Sequence, residues 1–170
     1  MARLGVTVAG LVLFASLAHA EMPNGFAEFP WGTRADVLTQ QFLTKRCVSY
    51  TGFSERGGLA ICHYYRVEGL NVLSVRFDFE PDDLLAGYGM SVARNSYSAL
   101  RRQAIERFGA PSVRTAFLWF GEQLFWTWEG GEARLIQRCT EEAACLEVRS
   151  LALLQKGREH ERSGRPQNPF

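Results

Sequence analysis

The chain has 170 residues, with 19 Lys and Arg against 18 Asp and Glu, a formal net charge of +1. That balance provides no basic footprint for nucleic acid and no general attraction to an anionic membrane surface. The length suits one domain able to bury a core.

The first twenty residues, MARLGVTVAGLVLFASLAHA, place one Arg before an apolar run and end on Ala18-His19-Ala20, the small-x-small pattern of a signal-peptidase site. The run is too short to span a bilayer, and no later segment is apolar enough to do so. Residues 1–20 are therefore expected to be a signal peptide cut between Ala20 and Glu21, leaving a periplasmic or secreted protein. Residues 21–154 form one globular α+β domain in this reading, with a disordered polar tail over 155–170.

FPWGTRADVLTQQF reads as a turn and then a helix. Thr33 caps it, Asp36 follows three residues on, and Val37, Leu38 and Phe42 form its buried side. Strands are expected over 45–50 and 59–67, around the loop TGFSERGG. LNVLSVRFDFE alternates, with Leu73, Val75, Phe77 and Phe79 on one face and Ser74, Arg76, Asp78 and Glu80 on the other. A further strand over 84–92 is weakened by Gly87 and Gly89. In NSYSALRRQAIERFGAP, Asn95 or Ser96 is the N-cap and Tyr97, Leu100, Ala104 and Phe108 form one stripe. Gly109 and Pro111 end the helix. Strands over 112–120 and 124–129 follow, with turns at Gly121-Glu122 and Gly130-Gly131. EARLIQRC and CLEVRSLALL then form a hairpin. The polar tail QKGREHERSGRPQNPF lacks the apolar residues to order itself.

The four cysteines, Cys47, Cys62, Cys139 and Cys145, all follow the signal, and an even count in an exported chain favours disulfides. Three pairings are possible; the pairs close in sequence, Cys47–Cys62 and Cys139–Cys145, are the expected ones. Zinc is a poor fit, because Cys62 and His63 are neighbours that a strand points to opposite faces. The spacing of six is not a C-x-x-C redox motif.

The layout repeats: a helix then about four strands over 25–92, and again over 95–154, forming one sheet with the helices on one face. This resembles the tandem modules of the β-lactamase inhibitor protein and the single modules of the BamE/SmpA outer-membrane assembly family. The shared phrases are the helix start Gly32-Thr33-x-x-x-Val37 and the exit Gly109-x-Pro111. The chain lacks the lipid-anchoring cysteine of the assembly lipoproteins, and its first helix lacks the Gly-x-Pro exit. It is also similar to exported proteobacterial proteins that begin with an F-x-x-x-PWGT-like phrase, here Phe26 to Thr33. The resemblance implies this fold and a binding role.

Catalytic and metal candidates have ordinary explanations. Ser54 in GFSERGG lacks the second glycine and the strand–turn–helix setting of a nucleophile elbow. Asp78, Glu80, Asp82 and Asp83 are the solvent face and turn of a strand, without a full calcium loop. His63 has no identifiable partner. No enzyme activity, metal or cofactor is expected. The surplus is aromatic: in AFLWFGEQLFWTWEGG both faces of each strand are apolar. Either both faces are covered, or Phe117, Trp119 and Trp126, with Tyr64 and Tyr65 from the first half, form a binding face. The expectation is a monomeric protein-binding or inhibitory module whose partner is another envelope protein, with no nucleic acid and no membrane span. A small-ligand carrier with an apolar pocket between sheet and helices, or an envelope-assembly accessory protein, is the alternative.

Overall fold

The computed structural model describes residues 23–51, 59–80 and 82–164. The expected signal peptide and the GFSERGG loop with Ser54 lie outside them. The described residues form an α+β fold in which eight antiparallel strands make one large sheet.

A short hairpin, β1 (Gly25–Phe26) and β2 (Phe29–Pro30), precedes the first helical segment, α1 (residues 35–46). β3 (Ser49–Thr51), β4 (Leu59–His63), β5 (Val72–Phe79) and β6 (Leu85–Ala93) follow. Next come α2 (Tyr97–Phe108), β7 (Val113–Phe117), β8 (Gly121–Trp128), β9 (Gly131–Ile136), β10 (Ala143–Ser150) and α3 (Leu151–Gly164). In space the order is β3-β4-β5-β6-β10-β9-β8-β7, so β6 and β10 join the two halves and β3 and β7 are the edges.

Alternation along the strands decides what is buried. Ala60, Cys62, Val75, Phe77, Tyr88, Val92, Leu146, Val148, Leu135, Leu124 and Trp126 lie on one face, as their cross-strand pairing requires. Helices α1 and α2 pack there. Phe42 of α1 meets Phe26 at 5.2 Å and Phe77 at 5.6 Å, and Phe108 of α2 meets Trp126 at 5.6 Å and Trp128 at 5.5 Å. The expected stripe of α2 is the buried one: Tyr97, Leu100, Ala104 and Phe108. The PWGT phrase docks α1 onto the sheet. The Trp31 ring stacks on Tyr88, Gly32 N–H donates to the Leu85 carbonyl at 2.9 Å, and Leu85 N–H donates to that of Thr33 at 2.8 Å.

Both disulfides join the cysteines close in sequence. Cys47–Cys62 ties the end of α1 to the buried face of β4, and Cys139–Cys145 closes the β9–β10 loop, with Cα separations of 5.4 and 5.8 Å.

Several local expectations need correction. Thr33 does not cap α1: its hydroxyl donates to the Pro30 carbonyl, and Arg34 holds the N-cap position. Ser96 is the N-cap of α2 by position, but its oxygen accepts from the distant Asn71 N–H, so tertiary contact takes the role local capping would have. In β5 a register shift between Val72 and Ser74 buries Val72 and leaves Leu73 half-exposed. The tail from Gln155 continues a helix that begins at Leu151 and runs to Gly164. Leu153 N–H donates to the Ser150 hydroxyl at its start, and the Gln155 amide bonds Glu159 one turn on, while residues 165–170 of the expected tail lie outside the described residues.

Candidate functional site

The β7–β8 hairpin is the most exposed apolar structure among the described residues. β7 pairs with β8 from Val113↔Phe125 to Phe117↔Gly121, and Leu118, Trp119 and Phe120 form the turn. Gly121 completes it at φ 66°, a left-handed conformation that glycine adopts without steric cost. The expected turn at Gly121-Glu122 is thus displaced toward the N-terminus, and residues expected to continue a strand become its tip. The backbone is held from β9's exit: Arg138 N–H donates to the Phe120 carbonyl at 3.0 Å and Gln137 N–H to that of Glu122 at 2.9 Å.

The consequence is exposure. Leu118 is 93% exposed, Trp119 84%, Phe117 54% and Phe120 50%, and Val113 along the same strand is 51% exposed. The four consecutive residues Phe117 to Phe120 leave on the order of 600 Å² exposed, at the top of the 300–600 Å² range of the largest apolar patch on a typical monomer.

At the root of the hairpin, Glu122 gathers the polar groups. Arg114 Nε lies 2.6 Å from one of its carboxylate oxygens, Arg101 Nε donates to the other at 2.8 Å, and the Tyr97 hydroxyl donates to that same oxygen. The carboxylate side chain is only 13% exposed. Burial pushes its pKa up, but the Tyr97 hydrogen bond and the two guanidinium groups outweigh that, and the net effect holds it below the ordinary glutamate value. Burial and the same carboxylate push the Tyr97 phenol far up. These groups are mutually paired; they brace β7, β8 and α2 rather than present a reactive centre.

The other expected aromatics lie elsewhere. Trp126 is not surface: it is 2% exposed, packs on Phe108, and its indole N–H donates to the Gly109 carbonyl at 2.9 Å. Leu124 is buried on the same α2-covered face, so one apolar face of β8 is explained by coverage. Its other face carries Gln123, Phe125 and Thr127, and Arg134 lies over the Phe125 ring at 5.4 Å. Tyr65 turns inward, 5.0 Å from Phe42. Tyr64 is 60% exposed, but it follows β4, six strand positions from β7 and so about 29 Å along the sheet. The five expected residues therefore do not make one surface. Phe117 and Trp119 sit together, while Leu118 and Phe120, which alternation along a continued strand would put on the opposite face, join them because the chain turns there.

The sheet face away from α1 and α2 is polar. Arg76 of β5 pairs with Asp78 at 3.0 Å and reaches Glu147 of β10 at 3.9 Å, across Gly89 of β6. Arg149 bridges Glu147 at 3.7 Å and Glu132 at 4.0 Å. His63 lies on this face opposite Ser74. Among the described residues, no group of three or more His, Cys, Asp or Glu side chains could hold a metal ion, and no helix is long and apolar enough to cross a membrane. On the helix side, a cleft of about 190 Å³ is lined by Phe26, Met90, Leu100, Ala104, Phe108 and Leu146 among others. Drug-sized ligands occupy roughly 300–1,000 Å³, so it is small for a carrier site. Compared with known protein families, curated proteins and solved structures, the chain matches none.

Proposed function

We propose that this chain is a protein-binding module of the cell envelope, exported by its N-terminal signal, that holds its partner through the β7–β8 tip. The carrying observation is the run Phe117-Leu118-Trp119-Phe120, at least half exposed at every residue. Exposing that much apolar surface is costly unless it is covered in use, and Trp is favoured among residues that dominate interface energy. The paired disulfides, one within each half, are compatible with an oxidising compartment. The two-module description belongs to the same reading: each half supplies a helix and four strands consecutive in the sheet, an arrangement like that of the tandem inhibitor and envelope-assembly modules.

The test is affinity capture from an envelope extract with the chain beginning at Glu21. Specific captured proteins should be lost with Trp119→Ala and Leu118→Asp but retained with Tyr64→Ala, another exposed ring at the far side of the sheet. Equal capture by all variants would remove the tip from the function.

A further inference from the structure

The hairpin tip continues into β7, an edge strand whose outer backbone groups have no strand beside them among the described residues. Edge strands are usually protected by charge, proline or a bulge. Here Pro111 lies just before the strand, and the regular β7–β8 register runs without a shift from Val113 to Phe117. The one charged residue on the strand, Arg114, is drawn to Glu122 of β8, 2.6 Å away and inward from the edge. The guanidinium is thereby drawn back from the outer backbone edge, while it stays charged, because Arg101 shares the same carboxylate.

We infer that β7 pairs antiparallel with β7 of a second copy, centred on Thr115, so that two eight-stranded sheets become one. This deepens the proposed binding role and rests on the hairpin being a contact surface. The five residues Val-Arg-Thr-Ala-Phe are self-complementary in that register and use the full length of the strand. Val113 faces Phe117 of the second copy, and Phe117 faces its Val113, a β-branched and aromatic pairing favoured across strands. Arg114 faces Ala116 of the second copy, so no two guanidinium groups meet. Centring the pair on Arg114 would set Arg against Arg. Centring it on Ala116 leaves only three strand residues paired.

Beyond the strand, the turn brings Leu118 and Trp119 toward the Ser112 end of the second copy's β7. Both copies thereby cover apolar surface that water now meets. The two exposed runs together present roughly 1,200 Å², so covering most of them adds far more than the backbone pairing of five residues, which alone would be slight.

The experiment is light scattering coupled to size exclusion, with the chain from Glu21 loaded at micromolar to about 100 µM concentrations. A dimer is expected, with Trp119 emission shifting to the red on dilution. Ala116→Arg sets Arg against Arg114 of the second copy and should give a monomer that melts where the wild-type chain does at dilutions that leave it monomeric. Thr115→Cys should form one inter-chain disulfide under mild oxidation, since opposed residues in an antiparallel pair lie within disulfide reach; Arg102→Cys on α2 should not. A monomer at every concentration, a dimer indifferent to Ala116→Arg, or no cross-link through Thr115→Cys would each overturn the pairing. If the chain proves monomeric while Trp119→Ala still abolishes envelope capture, self-pairing fails and the binding surface stands. If it dimerises as described while capture ignores Trp119→Ala, the envelope partner is what fails.

Discussion

The side-chain amide of Gln137 fills the space into which a Cβ on Gly121 would project, and its oxygen accepts from the Glu122 N–H at 2.9 Å. Gly121→Ala would therefore meet both a positive φ and an occupied volume. The substitution is expected to cost about 1–3 kcal/mol, the range for a residue forced into an unfavourable backbone region. A urea titration checks this. Gly130→Ala is the comparison: φ is also positive there, but the nearest atom is the Ala152 Cβ at 3.9 Å, so its penalty should be the smaller one.

Trp126 and Trp119 separate core from surface. Trp126→Ala removes a buried ring and its bond to Gly109, and should cost about 3–5 kcal/mol. Trp119→Ala should change stability by no more than about 0.5 kcal/mol. Chemical denaturation of both variants, with acrylamide quenching to read ring accessibility, distinguishes them directly.

Glu122 should make stability depend on pH in the acid range. Its folded pKa is held below the ordinary value of 4.5, so its contribution is complete above about pH 4.5 and disappears as pH falls through the folded value. Glu122→Gln should lower stability at neutral pH and flatten that part of the profile. Denaturation midpoints from pH 7 down to pH 3 give the comparison; parallel wild-type and variant curves would refute the assignment.

Removing each disulfide should have unequal effects. By loop entropy, replacing Cys47 and Cys62 with Ser loses about 3 kcal/mol, and replacing Cys139 and Cys145 about 2 kcal/mol. The larger loss also frees the end of α1 from the buried face of β4. Thermal melts of the two double variants provide the ranking.

What could be read from residue patterns was whatever depends on neighbours along the chain. The α2 stripe from Tyr97 to Phe108, the alternation of Val75, Phe77 and Phe79, and the local cysteine pairs all have that character. Alternation assigns a face but not a lateral neighbour, so the pairing of β6 with β10 had no local signal. Gly87 and Gly89, which weakened β6 in the sequence, make sense only through that pairing, where side chains from β5 and β10 meet above them. The tip failed differently. Apolar residues predicted a strand through Phe120, whereas the positive φ of Gly121 and the seat provided by Gln137 end it at Phe117. Of the two expected tryptophans Trp119 stayed exposed, and Trp126 was lost to α2, whose position over β8 no spacing in the sequence reveals.

The β6–β10 pairing has a consequence for how the chain reaches this state. Among the described residues, every other neighbour in the large sheet is a strand consecutive in sequence. Those hairpins close over short loops, but Tyr88 must find Val148 across all of α2 and three intervening strands. Loop-closure entropy is thus concentrated in one event, and non-local contacts of this kind slow folding. Two ribbons can grow independently in microseconds to milliseconds, but neither buries its inner edge until the other exists. The slow step of folding is then the meeting of the halves.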